Sequence, residues 1–309
     1  MDCLSTSRNG ILEERFMNGA DIMTLSKKMR NAEKIETNAK LFSCPVCLAG
    51  MELVNRSQLV CAENHSFDLS KQGYINLAQQ AHVTKYDKAL FEARKIVIDS
   101  GFFNPLLDYV TEVISTQVKD EFDPVIVDAG CGEGSHLSSI LSNLPGKVTG
   151  VGIDLSKEGI IAAAKDHPGN IWAVADLANC PFQDEEFDVV LNILSPANYV
   201  QFTRLLKPGG QLLKVVPESG YLKELRDVFY EGNDRQSESD PVARVQEHFD
   251  AVKTERITYD FPLDSDLLTT LIRMTPLTWG ASEEKIEEAL RIGIPTVTID
   301  FTVIIGSKK

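Results

Sequence analysis

Cys44-Pro-Val-Cys47 is separated by thirteen residues from Cys61, and His65 follows Cys61 after three more, giving C-x2-C-x13-C-x3-H. A tight Cys-x-x-Cys knuckle presents two thiolates on one side of a tetrahedron, and the second pair closes it. Zn2+ favours this soft four-coordinate set, and a closed shell leaves no open position for a substrate, so the spacing points to a structural metal. A module of about 35 residues buries too little apolar surface to fold well alone. Zinc binding, worth ~10–16 kcal/mol in finger peptides at neutral pH, can supply the difference. The plainer alternative, three buried cysteines beside a surface histidine, leaves the spacing unexplained.

A second constellation is Val125-Ile-Val-Asp128-Ala-Gly130-Cys-Gly132-Glu133-Gly134, a strand running into a glycine-rich turn, with a helix expected over 137–144. Glycine is needed where a chain turns sharply and a ligand approaches its backbone. The pattern D-x-G-x-G-x-G departs from the dinucleotide fingerprint, which would place Gly or Ala where Ser135 stands. Asp154 closes the next strand, where a carboxylate can accept from both ribose hydroxyls. Asp176, followed by Leu177, closes the third, where it can take an adenine amine. No phosphate-loop lysine follows the turn, and Glu133 sits inside it, so a pyrophosphate is disfavoured. S-adenosylmethionine, with a sulfonium, an amino group and no phosphate, suits this acidic pocket. The cofactor candidates are Asp128, Gly130, Gly132, Glu133, Gly134, Asp154, Asp176 and Leu177.

The elements that must position these residues follow from the hydrophobic pattern. Residues 125–128, 148–154, 171–175, 189–193 and 211–216 read as buried strands, and 158–165 and 198–206 as intervening helices. That alternation implies an α/β fold with a parallel, doubly wound sheet. Lys207-Pro-Gly-Gly210 is a turn into the fifth strand. A helix over 283–291 precedes the run 296–306, expected as an antiparallel insertion. Further helices are expected over 89–99 and 105–119. The chain divides into an N-terminal extension (1–41, disordered or partly helical), a metal module (42–77), a linker with helices (78–122) and a catalytic domain (123–309).

The 309 residues are 43% hydrophobic and 25% charged, ordinary for a soluble protein, and no apolar run reaches the ~20 residues that span a bilayer. The acidic residues near the N-terminus exclude a secretory signal, so a cytoplasmic protein with no membrane partner is expected. Cys3, Cys131 and Cys180 are scattered and make a poor disulfide framework. The net charge of −14 has the wrong sign for binding nucleic acid through bulk electrostatics. Residues 1–95 nevertheless carry net +2, so a polyanion would be received there or by local patches.

Beyond the knuckle runs His65-Ser-Phe67-Asp68-Leu-Ser-Lys71-Gln-Gly73-Tyr74-Ile-Asn76-Leu77. It is joined by Asp87-Lys-Ala-Leu-Phe-Glu-Ala-Arg94, Gly101-Phe-Phe103-Asn-Pro105, Tyr221-Leu-Lys-Glu224-Leu and Met274-Thr-Pro-Leu-Thr-Trp279. Together with Gly130-Cys-Gly-Glu-Gly134, this set resembles the RlmA-type 23S rRNA guanine-N1 methyltransferases over roughly 42–309. It is closer to the Gram-positive branch, which includes macrolide-resistance relatives. The resemblance implies a class I, Rossmann-like methyltransferase with a mostly parallel seven-stranded sheet behind a small zinc module. It implies S-adenosylmethionine as donor and, as substrate, a guanine in the hairpin 35 loop of 23S rRNA, at the 745 or 748 type of position with 748 favoured. Carried over by position, Cys44, Cys47, Cys61 and His65 hold Zn2+, Gly132 and Glu133 form the cofactor turn, and Phe103 covers the cofactor. Tyr221 stands where relatives can have histidine.

Methylating guanine N1 requires its proton to leave as the nitrogen attacks the methyl, with in-line alignment supplying much of the rate. The mouth of the site is expected after the fourth strand, at Asn192-Ile-Leu-Ser195-Pro196-Ala-Asn198, with Asn192 and Ser195 as base-contacting candidates. Glu133 and Glu218 are general-base candidates by location only, and water is an alternative. A looped-out base is easier to extrude than a paired one. Lys71, Tyr74, Lys85 and Lys88 near the zinc module are the expected RNA grip. Two rival readings are a small-molecule methyltransferase with an accessory zinc module and a non-catalytic sensor of S-adenosylmethionine. The oligomeric state is open, a homodimer included.

Overall fold

The computed structural model describes residues 27–80, 86–117, 123–230 and 240–309. Most of the expected extension, and Lys85 of the expected RNA grip, lie outside them. The chain enters through α1 (Lys27–Thr37) and the strands β1 (Met51–Val54), β2 (Gln58–Cys61) and β3 (Ser66–Asp68), which form an antiparallel ribbon. The short β4 (Ile75–Asn76) follows, then α2 (Lys88–Asp99) and α3 (Asn104–Gln117). Asp87 starts α2 by accepting the Leu90 N–H at 2.8 Å, which satisfies one of the orphan donors of the first turn.

The catalytic part alternates as the pattern requires. Strands β5 (Val125–Ala129), β6 (Thr149–Asp154), β7 (Ile171–Val174), β8 (Phe187–Ile193) and β9 (Leu206–Pro217) are interleaved with α4 (Ser135–Asn143), α5 (Lys157–Asp166) and α6 (Tyr199–Leu205). Then come α7 (Lys223–Phe229), α8 (Pro241–Gln246), β10 (Ala251–Pro262), α9 (Ser265–Met274), α10 (Glu283–Ile292) and β11 (Thr296–Ser307). The sheet order is β10-β11-β9-β8-β5-β6-β7-β4, with β11 inserted antiparallel between β9 and β10. The expected fold is therefore present, with the short β4 added as an eighth strand. β5 is buried at all five positions, as a central parallel strand must be. β10 was not foreseen: its Lys253, Thr254, Glu255 and Arg256 are exposed, which hides the strand in the hydrophobic pattern and protects a sheet edge.

The metal module is not a separate bead. β4 pairs parallel with β7, Phe42 bridges to Phe182, and Ser43 N–H donates to Pro181 O at 3.1 Å. Leu41, Phe42, Leu59 and Ile75 share one core with Val127, Val151 and Ile171 of the sheet. Helix α1 belongs to this body, with Ala32 and Ile35 fully buried, so the packed region begins before residue 42. Its buried Asn31 donates to Gly73 O at 3.2 Å and accepts the Gly169 N–H at 2.9 Å, stitching module to catalytic part. The helix reads as polar because only this narrow stripe faces inward.

Candidate active site and metal centre

The four metal candidates meet on two tight turns. Cys44 O accepts the Leu48 N–H, and Cys61 O accepts the Asn64 N–H, with Leu48 and Asn64 both at positive φ. The four ligand atoms lie within 4.8 Å of one another. Cys44 Sγ is 3.6 Å and Cys61 Sγ 3.4 Å from His65 Nδ1, and Cys47 Sγ is 3.6 Å from Cys61 Sγ. A tetrahedral zinc with bonds of ~2.3 Å to sulfur and ~2.0–2.1 Å to nitrogen separates its ligands by about 3.5–3.8 Å. The donor set and its spacing fit Zn2+, with no position left for catalysis.

At the carboxyl ends of β5 and β6, the glycine turn takes the shape its sequence requires. Gly130, Gly132 and Gly134 all have positive φ, and a Cβ at Gly134 would lie 2.4 Å from Trp172. At Gly130 a Cβ would overlap Ser195, which lies across the turn. Asp154 accepts the Gly132 N–H at 2.8 Å and the Ser156 N–H at 2.7 Å, so one carboxylate fixes the turn and the start of α5. Burial nonetheless raises its pKa against those two donors.

Arg94 from α2 enters this ring of acids, a residue quoted in a sequence motif but given no role there. Its Nε stands 3.0 Å from Glu133 Oε2, an ion pair off line for a hydrogen bond. Burial pushes the Asp128 carboxyl up to about 7, while Arg94 draws it down and Asp154 and Glu133 push it further up. Buried His136 is held well below its ordinary pKa by desolvation and by Arg94, and Phe103 meets its ring edge-on at 4.8 Å. Phe103 and Tyr221 both pack on Phe301, with centroids 6.0 and 4.8 Å away. Arg94 Nε, Asp128 Oδ1, both Glu133 oxygens and His136 Nε2 are buried without a hydrogen bond. Buried polar groups without a hydrogen bond are costly, and clustered ones mark a ligand site. Acceptors for an ammonium and hydroxyls, beside a guanidinium for a carboxylate, fit S-adenosylmethionine.

Asp176 and Leu177 lie one strand further, after β7. Asp176 accepts the Ala178 N–H at 2.8 Å and lines a cavity of about 180 Å3 with Pro45, Leu77 and Asn179, at the joint with the zinc knuckle.

The loop after β8 departs from expectation. Asn192 is fully buried, and its amide donates to Ala129 O at 2.6 Å and to Pro196 O at 3.0 Å. Its Oδ1 accepts from Lys214 Nζ at 2.6 Å, and Lys214 also donates to Ser195 O. Asn192 is thus fully buried and engaged in holding the loop, whereas Ser195 is partly exposed. Lys214 sits opposite Asn192 in the β8–β9 register, 6% exposed, and burial lowers its ammonium to about 8. A lysine inside the otherwise apolar run 212–216 was the signal that sequence reading passed over. Glu218 is bonded to the Thr302 hydroxyl at 2.6 Å. Tyr74 is 6% exposed and packs in the core, so it is unavailable to RNA, while Lys71 is exposed.

Among the described residues no helix is long and apolar enough to cross a membrane. Residues 42–81 match the family model for the RlmA N-terminal zinc ribbon, and 126–210 match a methyltransferase domain. A Bacillus subtilis protein provisionally named a 23S rRNA (guanine-N(1)-)-methyltransferase is 41% identical, over 87% of this chain and 97% of its own length. The Streptomyces fradiae 23S rRNA (guanine(748)-N(1))-methyltransferase is 32% identical, over 84% of this chain and 95% of its own length. A Mycobacterium tuberculosis phthiotriol/phenolphthiotriol dimycocerosates methyltransferase is 35% identical, but over only 31% of this chain and 35% of its own length. Likeness to the rRNA enzymes runs through ribbon and catalytic part together, so the chain belongs to the 23S rRNA (guanine-N1-)-methyltransferase family, with S-adenosylmethionine as its methyl donor.

Proposed function

We propose that the target is a guanine in the hairpin 35 loop of 23S rRNA, at the 748 type of position, modified in the cytoplasm, and that the methylation lowers macrolide susceptibility. The observation that carries the position is the near full-length likeness to a relative named for guanine 748. S-adenosylmethionine supplies an electrophilic methyl on a sulfonium, and the chain's own residues do the rest. We assign Glu133 and Asp128 to its ammonium, Arg94 to its carboxylate, Asp154 to the ribose, Asp176 and Leu177 to the adenine, and Phe103 and Tyr221 to its covering wall. The extruded guanine lies against the 194–198 loop, where Ser195 meets its edge. Residues 192–198 carry no carboxylate or imidazole, Glu218 is bonded to the Thr302 hydroxyl and Glu133 is assigned to the ammonium, so the N1 proton passes to water at the mouth.

The test is incubation with labelled S-adenosylmethionine and protein-free 23S rRNA, digestion to nucleosides, and mapping by reverse-transcription stops. 1-Methylguanosine at 748 supports the reading. A stop at 745 overturns the position alone, and no methylguanosine from zinc-loaded protein overturns the substrate.

The cofactor assignment carries a pH signature. Asp128, with its carboxyl near 7, is protonated in much of the free enzyme at neutral pH, and a bound cation favours the ionised form. Affinity for S-adenosylmethionine is therefore expected to rise between pH 6 and 8 with release of a proton. Calorimetry in buffers of different ionisation enthalpy reads that proton, and Asp128→Asn should abolish it.

A further inference from the structure

Helix α2 has two working faces. One carries Phe91 and Arg94 onto the cofactor turn: a Cβ at Gly132 would lie 3.4 Å from Phe91 and 3.6 Å from Arg94. The other face, with Ala89, Ala93 and Ile96, lines a cavity of about 480 Å3 whose far wall is Arg273 of α9 and Trp279. Trp279 is 41% exposed and meets Tyr86, 39% exposed, edge-on at a centroid distance of 5.2 Å. Arg273 is exposed and forms no ion pair among the described residues. The two acids at the rim are already engaged, Asp87 with the Leu90 N–H and Glu92 with Lys88 at 3.2 Å. The protein as a whole is strongly acidic, yet here an open indole, a phenol and an unpaired guanidinium stand together.

We propose that this cavity is a second nucleotide-binding subsite, taking an unstacked RNA base against Trp279 with its phosphate on Arg273. Aromatic faces stack on any base, and a guanidinium serves both as phosphate donor and as stacking partner, the combination that holds single-stranded RNA. A helix with its side chains is ~10–12 Å across, so the subsite lies one helix thickness from the cofactor turn. That suits a nucleotide of the same loop flanking the target guanine. The subsite rests on the reading of a looped rRNA substrate, and it adds where the enzyme grips that loop: between α2 and α9, in addition to the ribbon.

The chain has two tryptophans, and Trp172 is fully buried, so Trp279 is a built-in reporter. Zinc-loaded full-length protein is titrated with the 23S hairpin 35 RNA while tryptophan emission is followed, and methyl transfer is measured over a range of RNA concentrations. Wild-type emission should be quenched by the RNA beyond any change that S-adenosylmethionine alone makes through Trp172, which packs against the cofactor turn. Trp279→Ala should remove the quenching and raise the RNA KM about ten-fold, with kcat and the S-adenosylmethionine KM nearly unchanged. Trp279→Phe should recover most of that KM, and Arg273→Gln should flatten the salt dependence of binding. Unquenched emission and an unchanged RNA KM in Trp279→Ala, while wild type methylates the hairpin, would overturn the subsite and leave the activity standing. A shift from dimer to monomer in Trp279→Ala with unchanged RNA KM would overturn it in favour of a contact between two copies. If wild type neither binds nor methylates the hairpin, the substrate reading fails first.

Discussion

Replacing Lys214 by methionine is expected to reduce kcat at least a hundred-fold while leaving S-adenosylmethionine affinity within a few-fold of wild type. The substitution keeps the length of the chain and removes the donor to Asn192 Oδ1 and Ser195 O. A buried acceptor left without its partner costs about 1–3 kcal/mol, so losing two frees the loop from one conformation. That loop holds Leu194 at a φ of 52°, a left-handed conformation a leucine keeps only when its surroundings impose it. Of the residues assigned to the cofactor, Asp128, Glu133 and Asp154 stand on β5, the glycine turn and β6, and the lysine is bonded to none of them. The charge state supplies a second readout. The groups facing the ammonium are Asn192 Oδ1 from β8 and Ser195 O from the loop, with no ion pair, and burial lowers it to about 8 against 10.5 for an exposed lysine. Between those values the unfolded chain binds the extra proton, so this group's contribution to stability increases as pH rises. Activity should move the opposite way, falling above pH 8 as the clamp loses a proton. A wild-type-minus-Lys214→Met difference in chemical denaturation from pH 7.5 to 10 checks the first sign, and the wild-type pH–rate profile the second. The stability trend follows from burial alone, so the fall in activity above pH 8 is the readout that a merely space-filling lysine would not give.

Chelating the metal is expected to unfold the ribbon and abolish methyl transfer, with full recovery on restoring Zn2+. The ribbon strands are three or four residues long, and their shared point is the Cys44, Cys47, Cys61 and His65 cluster. Removing a bond set worth ~10–16 kcal/mol in isolated fingers is a loss as large as the whole stability of an ordinary domain. The loss should spread, because β4 pairs with β7 and Phe42 packs on Phe182 at 5.4 Å. Hydrogen exchange should therefore rise at 42–77 and along β7, while β5 and β8 at the sheet centre stay protected. Cys61→Ser should reproduce the chelated state. Cys131→Ser should not, since that thiol is buried beside the cofactor turn and outside the metal cluster. Unchanged exchange at 42–77 after chelation would show that the module does not depend on its metal.

Some of this protein is determined locally and was legible in the order of residues. The ligand spacing of two knuckles, a glycine run that only positive φ accommodates, and short β-branched strands alternating with helices depend on neighbours in sequence. The metal site, the cofactor turn and the parallel sheet could therefore be read directly. Polar residues whose role depends on burial could not. Asn192 carries a side chain that suits a base contact, and nothing local shows that a lysine 22 residues later will occupy it from the adjacent strand. Tyr74 has the chemistry of an RNA contact but is turned into the core. Arg94 lies 39 residues before Glu133 and joins it only because α2 packs on the cofactor turn. Asn31 sits in a helix that reads as polar and becomes a joint because Gly73 and Gly169 converge on it. Chemical type and spacing determined what the chain can bind. Tertiary packing decided which polar groups remain free to bind it, because desolvation leaves every buried donor and acceptor to find a partner within the fold or on the ligand.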